Sequence, residues 1–101
     1  MSQISESYSI PASHPCLAGH FPDAPIVPGV VLLDYARDLL QIWQPHSRIK
    51  TLSQAKFLQP LPPQQRFTIT LTQISTQTIK FECLTETEKL ISGTFIVEHK
   101  E

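Results

Sequence analysis

The sequence is poor in cysteine: Cys16, in a proline-rich stretch, and Cys83, in a strand-like one, are the two thiols in 101 residues. Two thiols so placed make no disulfide framework, and the chain is expected to be reduced and cytoplasmic. An excess of either charge is missing too. Eight basic and nine acidic side chains leave a formal net charge of −1, which excludes the basic footprint of a nucleic-acid binder and the polybasic patch of a membrane-surface protein. Long apolar runs are absent: the longest, Val30 to Leu33, is far short of a bilayer span, and Pro28 and Gly29 interrupt the approach to it. The N-terminal MSQISESYSI carries neither a basic leader nor an apolar signal core. With no repeats, low-complexity tracts or domain boundaries, residues 1–101 are expected to form one domain. That size sustains a single core only narrowly, so a partner subunit that buries more apolar surface is expected.

Glycine is scarce as well, but two of the three glycines and three of the nine prolines fall in one stretch, GHFPDAPIVPG at 19–29. Prolines 11, 15, 22, 25 and 28 remove backbone donors and fix φ, so Pro11 to Gly29 is neither helix nor central strand. A loop with so little freedom is suited to positioning side chains. Before it, residues 1 to 6 are polar and expected to fray, while Tyr8 and Ile10 alternate with Ser7 and Ser9 in a short strand that Pro11 ends.

From Gly29 the pattern becomes helical. Leu32 or Leu33, Ala36, Leu39 or Leu40 and Trp43 recur at helical spacing, and Gln44-Pro45 supplies the stop, giving one helix of about four turns. Its apolar stripe is wide, which predicts that protein covers most of its sides. A strand is expected over Thr51 to Leu58, ahead of Pro60-Leu61-Pro62-Pro63. Period-two strands follow through Phe67, Ile69 and Leu71, then Ile79, Phe81 and Cys83, then Ile91, Gly93, Phe95 and Val97. Hairpin-length turns at 75–77 and 86–88 make these antiparallel. The order predicts an α+β fold: a single antiparallel sheet curled around one long helix.

One constellation could carry chemistry. A neutral His20 imidazole can accept a proton near pH 7, and a buried Asp34 carboxyl can return one. Between them, Pro28-Gly29 opens a helix whose first amides lack intrahelical acceptors, which suits a carbonyl oxygen gaining negative charge, and Gly29 admits close approach to its backbone. Together these parts describe proton abstraction beside a thioester or ketone carbonyl, with loss or movement of a neighbouring group. The competing reading leaves Asp34 on the polar face of the helix beside Arg37 at i+3, with His20 merely capping a loop.

The stretch HFPDAPIVPGVVLLD resembles the signature of the hotdog-fold β-hydroxyacyl-(acyl carrier protein) dehydratases, roughly H-F-P-G-x-P-[IV]-M-P-G-[VC]-L-x-x-[ED]. His20, Phe21, Pro22, Pro25, Ile26, Pro28, Gly29, Val30 and Asp34 match in register. A second segment, AKFLQPLPP at 55–63, is similar to the family's A-[KR]-F-x-x-P-[VL]-x-P. The resemblance implies a helix wrapped by an antiparallel sheet, in a homodimer whose two sheets join. It implies that His20 is the catalytic base, that Asp34 is the catalytic carboxylate reaching the histidine of the opposite protomer, and that the Gly29 amide polarises the thioester carbonyl. Phe21, Ile26, Val27, Pro28 and Phe57 are the implied substrate-binding residues of the acyl tunnel. The implied reaction is dehydration of (3R)-3-hydroxyacyl-(acyl carrier protein) to the trans-2-enoyl thioester, with no metal and no redox cofactor.

The sequence departs from the pattern at Asp23, Ala24 and Gln64, and aspartate at 34 stands where plain dehydratases usually carry glutamate. Its brevity resembles the small dehydratase subunits of specialised acyl-chain pathways, such as the ApeI-type proteins of aryl-polyene assembly. Two alternatives remain: a hotdog thioesterase in which Asp34 activates water, and a non-catalytic hotdog subunit that stabilises a partner or binds acyl chains. A zinc site from His14, Cys16 and His20 lacks a fourth ligand, and Cys16 has no neighbour that plainly activates it. Arg48, Lys50, Lys56 and Arg66 are candidate docking charges for an acidic carrier protein.

Overall fold

Alternation of apolar and polar side chains from Phe67 onward folds as three hairpin-linked strands. In the computed structural model, which describes residues 2–10, 27–62 and 64–99, these are β3 (Phe67–Ser75), β4 (Thr78–Leu84) and β5 (Lys89–His99). They follow β1 (Gln3–Tyr8), the helix α1 (Gly29–Trp43) and β2 (Ser47–Phe57). The five strands form one antiparallel sheet in the order β1-β3-β4-β5-β2. The chain crosses from β1 through α1 to the opposite edge, so the helix must lie across the sheet. This is the expected hotdog arrangement.

Alternation decides which side chains meet the helix. Phe67, Ile69 and Leu71 of β3, Ile79, Phe81 and Cys83 of β4, and Ile91, Phe95 and Val97 of β5 are buried together with Leu32, Ala36, Leu39 and Leu40 of α1. Phe81 stacks on Phe95 with ring centroids 4.4 Å apart. Gly93 lies opposite Phe81 in the register, and a Cβ there would stand 2.8 Å from the Phe81 ring and 3.1 Å from the Ala55 Cα. The missing side chain leaves room for that aromatic pair. At the other edge Tyr8, Tyr35 and Phe67 form a cluster of edge-on and tilted rings that seats β1 against the helix.

Two boundaries differ from the sequence expectation. The first strand begins at Gln3, within the stretch expected to fray, because Gln3, Ser5 and Ser7 hydrogen-bond across to Thr72, Thr70 and Thr68 at 2.9–3.0 Å. Hydroxyl pairs on an outward face stabilise a strand that apolar periodicity does not reveal. Strand β2 begins at Ser47, four residues before the expected Thr51. Its two register shifts against β5, between Ile49 and Thr51 and between Ser53 and Lys56, break the period-two pattern. Gln54, at the second shift, has φ +57.

The helix keeps its expected limits, yet the described residues cover one side of it. Val30 is 61% exposed and Ile42 76%, and Asp34, Arg37 and Asp38 are exposed with them. Among the described residues the expectation that protein covers most of α1 is not met, because the single sheet reaches one face. At the helix C-terminus the buried Ser47 joins α1 to β2: Gln41 Nε2 donates to the Ser47 carbonyl at 2.6 Å, and Ser47 Oγ donates to Gln44 Oε1 at 3.1 Å. No helix of the described residues is long and apolar enough to cross a membrane.

Candidate active site

Three stretches of chain meet at the N-terminal end of α1. The Val27 amide donates to the Leu61 carbonyl at 2.8 Å, tying the residues before the helix to those after β2. Leu58 and Gln59 amides donate to the Leu90 carbonyl at 2.8 and 3.4 Å. Leu90 is the extra residue at the register shift between Cys83 and Leu84, so this bulge holds the end of β2 in place. Val27, Pro28, Gly29, Leu32, Phe57, Leu58, Leu61 and Ile91 thereby surround a cavity of about 270 Å³. Its lining is apolar except for the Gln59 side chain.

The helix opens without a side-chain cap. Pro28, with φ −60 and ψ 140, is extended and occupies the N-cap position, and Val31 N donates to its carbonyl at 3.0 Å. The two amides before Val31, those of Gly29 and Val30, meet no acceptor among the described residues. The positive end of the helix dipole adds to their donor character. A carbonyl oxygen placed there would be stabilised as negative charge develops on it.

Gly29 has a packing reason as well. A Cβ at this position would overlap Cε1 and Cδ1 of the Phe57 ring, which lies against the glycine. Phe57 ends β2, and its side chain is 59% exposed, so the ring roofs the helix N-terminus from the rim of the cavity.

Of the residues singled out in the sequence, Val27, Pro28, Gly29 and Phe57 come together here. Asp34 does not join them within the chain. It lies five residues beyond Gly29, about 140° round the helix at about 100° per residue, on the exposed face with Val30 and Ile42. There its Oδ1 is 3.6 Å from Arg37 Nη2, and both side chains are more than half exposed; Arg37 Nε also lies 3.8 Å from Asp38. The i,i+3 ion pair of the competing sequence reading therefore forms, as a weak surface contact. His20, Phe21 and Ile26 lie outside the described residues, as do His14 and Cys16.

Sequence reasoning missed Leu32, Leu58, Leu61 and Ile91 as parts of the cavity wall. Leu58 and Leu61 fall inside the AKFLQPLPP segment, which was the signal available for them; nothing in its alternation distinguishes Ile91 from the other inward residues of β5. Among the candidate docking cations, Arg48 pairs with Glu98, while Lys50, Lys56 and Arg66 are exposed. Cys83 is fully buried, and burial pushes its thiol up to about 12, so it is not a nucleophile at neutral pH. The described residues contain no cluster of three or more metal-ligating side chains.

An antiparallel sheet lying across one helix, with an apolar cavity at the helix N-terminus, defines a hotdog-fold protein. The sequence model of the ApeI-like family, described as ApeI dehydratase, matches residues 1–94. The chain belongs to that family of hotdog-fold dehydratases.

Solved structures share the fold at low sequence identity. The dehydratase heterocomplex ApeI:P from Xenorhabdus doucetiae contains a chain similar over 94% of this one and 86% of its own length, with TM-score 0.85 and 18% identity. An (R)-hydratase from A. caviae involved in PHA biosynthesis matches over 97% of this chain and 94% of its own, with TM-score 0.78 and 17% identity. A variant of the fluoroacetyl-CoA-specific thioesterase FlK matches over 97% of this chain and 86% of its own, with TM-score 0.65 and 14% identity. No curated protein sequence matches significantly.

Proposed function

We propose that the protein dehydrates (3R)-3-hydroxyacyl thioesters carried on an acyl carrier protein, giving trans-2-enoyl thioesters and water, in the cytoplasm. The observation that carries this reading is the pair of amides at Gly29 and Val30, without an acceptor among the described residues, beside an apolar cavity in a chain of the dehydratase family. The Gly29 N–H donates to the thioester carbonyl oxygen. The His20 imidazole removes the α-proton, and the electron pair left on the α-carbon delocalises onto that oxygen as an enolate. As the carbonyl reforms, the C2–C3 double bond forms and the C3–O bond breaks. The departing hydroxyl takes a proton from the Asp34 carboxyl or from the imidazolium and leaves as water.

In this reading the exposed face of α1 is covered by a second copy of the chain, which brings Asp34 toward the partner's copy of His20. Val30 and Ile42, large apolar side chains open to solvent on the same face as Asp34, support a homodimer.

Turnover of a 3-hydroxyacyl thioester by His20→Ala and Asp34→Asn tests the assignment. Each variant is expected to lose most of the activity, and near-normal turnover by either overturns the assignment. The FlK-like fold keeps a thioesterase reading in view, with Asp34 activating water. Hydrolysis of both a 3-hydroxyacyl and a saturated acyl thioester, with no enoyl product, would favour it. The heterocomplex neighbour favours a second reading, in which this chain is the non-catalytic partner of another hotdog subunit. Absence of turnover by the purified homodimer would support that arrangement.

A further inference from the structure

The wall of the cavity and its rim are built differently. Val27, Leu32, Leu61 and Ile91 are none of them more than 3% exposed, whereas Phe57 and Leu58 at the mouth are open to solvent. A chain that enters past Phe57 therefore meets a fixed inner wall. Leu32 stands three residues after Gly29, on the same helix face and about 5 Å further along the axis. Ile91 faces it from the sheet, flanked in the register by Phe57 on β2 and Cys83 on β4.

Behind Leu32 the same helix face continues with Ala36, the smallest apolar side chain in the core. Leu32 is the helix side chain that closes this end of the cavity, and the inner face beyond Ala36 is filled by Leu39 and Leu40. Ile91 is likewise backed across the sheet by the smaller Cys83. The cavity, open to solvent at its Phe57 and Leu58 rim, has a volume of about 270 Å³, just below the roughly 300 Å³ at which ordinary ligand cavities begin.

We propose that Leu32 and Ile91 set the acyl length the site accepts, restricting it to short tails. The inference rests on the reading of the Gly29 amides as the thioester site. With the thioester oxygen at Gly29, a tail turning inward reaches Leu32 within one helical turn. A methylene that does not fit an apolar wall is worth about 10- to 200-fold in specificity. Leu32 and Ile91 therefore act as specificity-determining residues and take no part in proton transfer.

The test uses the full chain and straight-chain (3R)-3-hydroxyacyl thioesters of about four to about twelve carbons, with kcat/KM measured for each. Binding of straight-chain fatty carboxylates of the same lengths, followed by NMR shifts of Leu32 and Ile91 methyls or of their neighbours, supplies a readout without turnover. Past the preferred length kcat/KM is expected to fall about tenfold or more per added step of chain. Leu32→Ala and Ile91→Ala should each move that cut-off to longer chains by about two carbons, in binding and in turnover alike. Ile74→Ala, exposed at the far end of β3, should leave it in place. Should an alanine variant fail to fold, Leu32→Val and Ile91→Val should shift the cut-off the same way by a smaller amount. An unchanged cut-off in folded variants overturns the proposal. A length-dependent binding cut-off that moves as expected, without enoyl product, would leave it standing while removing the dehydratase reading.

Discussion

The two faces of α1 come from one fifteen-residue segment and meet opposite environments. Leu32, Ala36, Leu39 and Leu40 are 0–3% exposed against the sheet. Val30, Asp34, Arg37, Asp38 and Ile42 share the other face in the open. A surface helix of a self-sufficient domain usually shows an apolar stripe opposite a polar face. Here the second face mixes large apolar groups with charges, and it holds Asp34, the carboxylate proposed above as the acid. The inner face accounts for stability, and the outer face is where association and chemistry are expected to meet.

The largest effect should come from the inner face. Leu40→Ala removes a fully buried side chain and is expected to cost about 2–5 kcal/mol in denaturant unfolding, whereas Ile42→Ala should change monomer stability by about 0.5 kcal/mol or less. A cost at Ile42 as large as at Leu40 and independent of protein concentration would erase the contrast between the faces. If it grows with concentration, as burial between two copies requires, the contrast is sharpened.

The helix N-terminus, which borders the cavity, comes next. Gly29→Ala places a methyl where the Phe57 ring lies, and because that ring is 59% exposed and can swing aside, the expected cost is about 1 kcal/mol of stability. Phe57→Ala in the same chain should relieve most of that cost, and strict additivity in the double-mutant cycle would show that the ring is not what requires glycine.

The smallest effect sets the scale for exposed charges such as those on the outer face. On the outward side of the sheet, the Lys89 ammonium lies 2.7 Å from Glu82 and, through that hydrogen bond, holds its carboxyl below the usual carboxylate range. A carboxyl lowered by folding stabilises the protein above its unfolded value of 4.5, and the contribution disappears as pH falls through the folded value. Lys89→Gln should therefore lower stability by about 1 kcal/mol or less at neutral pH, with the difference from the parent vanishing at acid pH. A difference that persists there would mean that Lys89 acts through packing.

The legibility of these regions differed for physical reasons. Helix α1 could be read to both ends, because Pro28-Gly29 and Gln44-Pro45 are local signals that need no tertiary context. The inward residues of β3, β4 and β5 could be read because period-two alternation is also local. Strand β1 was missed over residues 3–6 since the partners that hold this part, Thr70 and Thr72, lie more than sixty residues away. The early turn of β2 was missed because two register shifts interrupt its alternation. At the site, Val27, Pro28, Gly29 and Phe57 were found through short motifs, while Leu32 and Ile91 became visible when helix and sheet were brought face to face.

By itself, the sequence determined the element types, the helix limits, the likeness to a dehydratase motif and the candidate acid–base residues, since each depends on neighbours within a few positions. Tertiary structure alone decided that Phe57 covers Gly29, that Leu32 and Ile91 close one cavity, and that Asp34 faces away from it. Those relations depend on strand order and helix rotation, which join residues far apart in the chain, and they set a motif glycine against an aromatic ring from another strand.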